Sequence, residues 1–147
     1  MCIRDSKRSL YPAYHIWLST RDMARIGYLM LRHGKWAGKQ IVPEYWTKKI
    51  SRIKTRVKDM NPEPFRKGDF GYGTMWWVLD GPNATGPWEG GYTASGAYGQ
   101  YITVLPALDM VIAHKTAVPP NNRQTPLRMY RGIIERLISA RSGSENP

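Results

Sequence analysis

The chain has 147 residues, of which 41% are hydrophobic and 22% charged, so it can form one globular domain but hardly two. No apolar run approaches the roughly 20 residues of a membrane span, and the single cysteine, Cys2, excludes an internal disulfide. The net charge of +11 lies in residues 1–67, which hold 16 Lys/Arg and 5 Asp/Glu, whereas residues 68–147 hold 6 of each. Because these basic residues are dispersed and accompany no nucleic-acid-binding motif, they indicate a solvated face, and we expect no nucleic-acid partner.

The first predicted helix begins after Ser19, and residues 1–18 are expected to be irregular. Ser19 is a good N-cap, and Asp22 three residues later forms a variant of the capping box. Gly34 provides a natural stop. Apolar residues at helical spacing predict a buried stripe: Met23, Ile26, Gly27, Met30 and Leu31.

A shorter second helix is predicted from Pro43 to Ile50, followed by a polar loop over residues 51–70. Aromatic and β-branched residues then predict four strands: Tyr72–Leu79, Trp88–Thr93, Gln100–Leu105 and Met110–Lys115. The last two strands should form an antiparallel hairpin, because only four residues separate them.

The last predicted helix is capped by Thr125 and Pro126. One face of it is apolar: Leu127, Tyr130, Ile133, Ile134, Leu137 and Ile138. Helices, then consecutive strands, then a helix predict an α+β fold in which helices flank an antiparallel sheet. We expect residues 1–7 to be a non-native or disordered start, 8–140 to belong to one domain, and 141–147 to be a disordered tail.

The sequence contains no phosphate-binding loop, zinc-binding helix motif or G-x-S-x-G nucleophile turn. The three histidines lie far apart in sequence. His114 in a predicted strand is expected to be a packed or edge residue, and His33 suits the end of a helix. His15 alone is kept as a candidate site residue. No metal site and no cofactor are predicted.

Glycines and small residues interrupt the predicted sheet between Tyr92 and Tyr101. Glycine weakens a strand, so its presence indicates a bulge or a close approach of a ligand to the backbone. Backbone N–H groups on such an edge could hold a developing oxyanion. The alternative interpretation is a glycine-rich hairpin connection without a function.

Four segments resemble, in order, motifs of the β-lactamase-related serine hydrolases of class C and penicillin-binding type. They are residues 19–25, 34–42, 71–77 and 99–111. The family motifs that they resemble are, in the same order, "S-T-x-x-D-[LM]-A-R", "G-x-W-x-G-x-x-[IV]-[VL]", "Y-G-[YF]-x-W-W" and "G-Q-Y-[IL]-x-V-x-P-x-L-D-x-V". The Gly99-Gln100 pair resembles the G-Q element of 6-aminohexanoate-dimer hydrolase-like and esterase-like members. The resemblance spans residues 8–140 and implies part of a β-lactamase/transpeptidase-like fold.

The resemblance also implies a site. The family's Lys-Thr-Gly strand would correspond to Ala94, Ser95 and Gly96, with the backbone N–H of Ala97 as an oxyanion-hole donor. A second register would place Tyr92-Thr93-Ala94 at these positions. Neither register supplies the lysine, which argues for an esterase or amidase rather than a penicillinase.

In the first register Tyr98 and Gln100 would be substrate-binding cleft residues. The expected partner is therefore a small-molecule ester or amide.

The family's acylation motifs, Ser-x-x-Lys and Tyr-x-Asn, are absent from their expected places. Ser51-Arg52-Ile53-Lys54 matches the first formally, but it follows segments that it should precede. We therefore expect a C-terminal part of a larger hydrolase domain, inactive without the missing N-terminal part. The alternative hypothesis is a non-catalytic penicillin-binding-like module that binds a cell-wall peptide or a d-amino-acid ligand.

Overall fold

A computed structural model describes residues 3–5, 14–82, 84–117 and 125–144, with backbone only at 3–5, 14, 15, 142 and 144. Three helices and nine strands occur in these ranges. In chain order they are β1 (Ile3–Asp5), β2 (Tyr14–Ile16), α1 (Thr20–Leu31), β3 (Lys35–Trp36), β4 (Lys39–Gln40), α2 (Glu44–Ile50), β5 (Phe70–Tyr72), β6 (Trp77–Leu79), β7 (Tyr92–Gly96), β8 (Gln100–Leu105), β9 (Met110–His114) and α3 (Leu127–Ser144).

The main sheet has five antiparallel strands in the order β5-β6-β7-β8-β9. The predicted β8–β9 hairpin is confirmed, with β9 ending one residue early at His114. The connection is a 3-10 turn, and Asp109 closes it in the left-handed conformation at φ 48°. The α+β architecture with helices against an antiparallel sheet is therefore as predicted.

The single strand predicted over Tyr72–Leu79 is wrong, because the chain turns back on itself between β5 and β6. Met75 has φ 64° in this turn. Gly73 is packed so closely that a Cβ would lie 2.6 Å from the Ile50 carbonyl oxygen. A β-prone composition hides this turn, since its only small residues are Gly73 and Thr74.

The strand predicted over Trp88–Thr93 is displaced along the chain. Residues 86–88 form a 3-10 turn, and β7 begins only at Tyr92 and continues to Gly96. The reason is the ladder to β8, which pairs Tyr92 with Val104 and Gly96 with Gln100. Cross-strand pairing with β8 thus outweighs the low strand propensity of the glycine-containing segment.

The N-terminus of α1 is confirmed. The Ser19 Oγ accepts the Asp22 N–H at 3.1 Å and lies 2.7 Å from the Asp22 carboxylate. Its hydrogen bond to the carboxylate, together with Arg25, holds the pKa of Asp22 below its usual value. Helix α2 begins one residue later than predicted, with Pro43 as its N-cap residue.

Helices cover both faces of the sheet. On one face, α1 and α2 enclose a core of Met30, Ile50, Val78, Tyr92 and Val104. On the other face, α3 contributes Tyr130 and Ile134, which pack against Tyr101 and Leu105. No helix in the described ranges is long and apolar enough to cross a membrane.

The structure refines the expectations about the last helix and differs from those about the chain ends. Ile133 and Leu137, predicted on the apolar face of α3, are 39% and 45% exposed, so that face is buried only in part. Helix α3 reaches Ser144, inside the segment predicted as a disordered tail, and residues 145–147 lie outside the described ranges. Residues 3–5, predicted as irregular, pair with 14–16.

Candidate active site

The predicted site residues form the tip of the β7–β8 hairpin. Ala94, Ser95 and Gly96 are the last residues of β7, and Gly96 pairs with Gln100. The loop is therefore three residues long, Ala97 to Gly99, and its second and third residues are left-handed, with φ 62° at Tyr98 and 80° at Gly99. Residues 95–98 are exposed, so the tip is open to a ligand.

The end of β7 is paired on one side only within the described part of the chain. Strand β6 pairs with Tyr92 and Thr93 and begins at Trp77, opposite Thr93. Beyond that point β7 has β8 on one side and no strand of the described residues on the other. An edge of this kind presents main-chain donors and acceptors to whatever lies beside it.

The second register, over Tyr92-Thr93-Ala94, lies mostly in the interior. Tyr92 and Thr93 are 5% and 1% exposed and have strands on both sides. Burial raises the pKa of Tyr92 to about 12. A ligand cannot reach these two residues along an open edge, which favours the register over Ala94–Gly96.

The Gln100 side chain is engaged within the fold. Its Nε2 donates to the Thr116 carbonyl at 2.9 Å, just after the end of β9. Tyr98 is 38% exposed at the loop tip. Tyr98 is thus accessible to a ligand, whereas the amide of Gln100 holds the chain after β9.

An apolar surface that the sequence did not predict lies at the β5–β6 turn; we call its residues Phe65, Tyr72, Met75 and Trp77 the aromatic shelf. The Trp77 ring lies 5.0 Å from Tyr72 and 6.3 Å from Phe65, and Met75 is 77% exposed. Because Trp77 pairs with Thr93, the shelf stands where the open edge of β7 begins. The missed turn explains why sequence reasoning did not find it.

The hairpin carries no charge, since residues 94–100 contain no ionisable side chain except the Tyr98 phenol. Among the described residues, no three His, Cys, Asp or Glu side chains are grouped as metal ligands. The candidate His15 belongs to β2, but its side chain lies outside the described part of the structure. The site therefore offers main-chain groups and apolar surface.

The formal Ser-x-x-Lys match at residues 51–54 does not have the geometry of a nucleophile and base on one helix. Ser51 is the C-cap of α2, and its hydroxyl lies 3.2–3.3 Å from the carbonyls of Lys48 and Thr47. Lys54 follows after the helix has ended, where its N–H donates to Tyr72. This supports the interpretation of the match as accidental.

No protein-family model matches the chain. A solved structure named "Putative 6-aminohexanoate-dimer hydrolase from Bacillus anthracis" is similar, with a TM-score of 0.55 and 26% identity over 82% of this chain. The architecture therefore corresponds to part of a β-lactamase-like hydrolase fold. The match covers 27% of that protein, so the chain spans about a quarter of its length. This likeness supports a place among the β-lactamase-like hydrolases.

Proposed function

We propose that this chain forms one wall of the active site of a β-lactamase-related serine hydrolase that cleaves ester or amide bonds. The observation that carries the proposal is the open edge of β7, which ends in an exposed three-residue loop. A free main-chain N–H at this position can donate to an oxygen as negative charge develops on it. A serine nucleophile outside this sequence would attack the carbonyl.

In this mechanism the Ala97 N–H donates to the oxyanion of the tetrahedral intermediate. Serine attack forms a C–O bond, moves the carbonyl π electrons onto oxygen and gives the serine proton to the base. When the carbonyl re-forms, the C–O or C–N bond to the leaving group breaks and the alcohol or amine departs with that proton; water then hydrolyses the acyl-enzyme and frees the serine. A preorganised donor of this type contributes a factor of about 10²–10³ to kcat. The Ser-x-x-Lys and Tyr-x-Asn segments that would supply the nucleophile and its base are not part of this sequence.

The uncharged wall favours a neutral substrate. The positions that correspond to the family's lysine carry no cation, so a substrate carboxylate would meet no opposite charge at this edge. The aromatic shelf instead offers apolar and aromatic surface that can pack against an acyl or leaving group. We therefore favour an ester or amide hydrolase over a penicillinase.

The test uses a fluorophosphonate, which phosphylates an activated serine and places its P–O oxygen in the oxyanion hole. We expect the complete gene product to be labelled at a Ser-x-x-Lys serine and the 147-residue chain not to be labelled. Ala97→Pro, which removes the N–H, should slow labelling by about 10²-fold, whereas Ala97→Ser, which keeps it, should stay within about threefold of the parent rate.

Two outcomes would contradict the proposal. A complete gene product with no serine adduct would favour the non-catalytic module that binds a cell-wall peptide or d-amino-acid ligand. Labelling of Ser51 in the 147-residue chain would mean that the accidental motif is a nucleophile after all. Equal rates for the Pro and Ser variants of Ala97 would remove the oxyanion role from this loop.

A further inference from the structure

The hairpin tip that carries Ala97 is hydrogen-bonded to His114, the last residue of β9. The His114 Nδ1 lies 2.8 Å from the carbonyl oxygen of Gly99. Because a carbonyl can only accept, this hydrogen bond requires a hydrogen on Nδ1, which is present in the Nδ1–H tautomer of the neutral ring and in the protonated ring. The contact therefore joins the last residue of the loop to the end of β9.

The orientation of the His114 ring is fixed by its surroundings. The ring is half-buried, with its centroid 5.9 Å from Tyr101 and 5.4 Å from Tyr130. The two tyrosines stack on each other at 4.3 Å, and the Tyr130 hydroxyl contacts Thr103 at 2.8 Å. A ring held in this way can aim its Nδ1–H at one carbonyl without a large loss of side-chain entropy on forming the bond.

The loop also packs against Thr125, two residues before α3. A Cβ on Gly99 would lie 3.0 Å from the backbone of Thr125, so the two segments are in close contact. The Tyr101 hydroxyl donates to the Thr125 carbonyl at 2.8 Å, and the Thr116 and Thr125 hydroxyls lie 3.1 Å apart. His114 and Thr125 thus fix Gly99, two residues from Ala97.

We propose that His114 is a positioning residue for the oxyanion-hole N–H of Ala97, an inference that rests on the proposed function. Two consecutive left-handed residues, Tyr98 and Gly99, connect the N–H to β8, and such backbone is uncommon for a non-glycine residue. A hydrogen bond from His114 holds this conformation without touching the substrate. Since misplacement by about 1 Å can cost about 10²-fold in rate, loss of this bond should appear in catalysis.

The test compares His114→Ala with His114→Asn in the complete gene product, using a neutral aryl ester. The Asn amide can donate to the Gly99 carbonyl, whereas Ala cannot. We expect kcat per titrated active site to fall about tenfold or more in His114→Ala with KM within about twofold, and Asn to restore most of kcat. Hydrogen exchange of residues 96–100 should quicken in the Ala variant while α1 is unchanged.

The outcomes separate this inference from the function on which it rests. A parent protein without a serine adduct or ester turnover would refute the proposed function, and the positioning role with it. A reactive parent whose His114→Ala variant keeps its kcat would refute the positioning role alone. The positioning role is also refuted if His114→Ala lowers only the fraction of titrated active sites, if it raises only KM, or if His114→Asn fails to restore kcat. Active-site titration corrects each rate for misfolded protein.

Discussion

Gly27 lies in the middle of α1, where this helix meets the sheet most closely. A Cβ at this position would lie 2.4 Å from Val111 Cγ1 and 2.9 Å from Ile102 Cγ2, against the roughly 3.5–4.0 Å at which two carbon atoms attract. Helix propensity favours Ala over Gly by about 1 kcal/mol. Overpacking a core costs about 1–3 kcal/mol. Because the closest contact is so short, we expect Gly27→Ala to lower the free energy of unfolding by about 2 kcal/mol.

The assay is urea unfolding of the 147-residue chain, followed by tryptophan fluorescence. Gly132→Ala in α3 is the matched control, because a Cβ there meets no atom within 4 Å; it should stabilise the chain by up to about 1 kcal/mol. Removing the Val111 methyl groups should make Gly27→Ala nearly neutral in the Val111→Ala background, apart from the remaining Ile102 contact. If Gly27→Ala stabilises the chain as Gly132→Ala does, the result contradicts the close packing of α1 against Val111 and Ile102.

Two further predictions concern buried polar groups. Burial raises the pKa of Tyr92 and Tyr130 to about 12, above the ordinary value of 10.0. The folded state therefore gains stability from their neutral phenols, which is fully present below pH 10 and is lost as pH rises through about 12. The loss should be about 3 kcal/mol for each tyrosine in urea unfolding, and Tyr130→Phe should remove its share; an equal pH slope in this variant would contradict the cause. Asp80 is 8% exposed and accepts the Val57 N–H at 2.8 Å and Arg56 at 3.1 Å. Asp80→Ala should cost about 2 kcal/mol in the same assay and Asp80→Asn less than about 1, because the amide oxygen can still accept from Val57. Since Arg56 is 61% exposed, about 1 M salt should change the parent's stability little; equal losses for the two variants, or a large salt effect, would make the ion pair the main interaction.

Local signals predicted the elements whose ends depend on nearby residues. The N-terminus of α1 follows from Ser19 and Asp22, three residues apart, and the β8–β9 hairpin follows from a short connection between two β-prone runs. In both cases the deciding contacts lie within a few residues in sequence. The order of these elements predicted the α+β class, and the resemblance to β-lactamase-related hydrolases added the particular fold within that class.

The elements around the site could not be predicted in this way. The turn between β5 and β6 depends on Gly73 packing against the Ile50 carbonyl, a contact that bridges 23 residues. The bounds of β7 depend on its partners in β8, and its glycine suggested an interruption where the strand in fact continues. The contact between His114 and Gly99 joins residues 15 apart in sequence, and the sequence indicated only that His114 would be a packed or edge residue.

Because β6 starts only at Trp77, no strand of the described residues lies beside Ala94–Gly96 on that edge. The proposed Ala97 donor therefore depends on strand length. Side-chain substitutions at residues 94–97 that keep an N–H would preserve it, whereas an insertion in the β5–β6 turn that let β6 extend by four residues would reach the position opposite Ala97 and cover it. The length of the β5–β6 turn would thus control access to the proposed donor with every proposed site residue left in place.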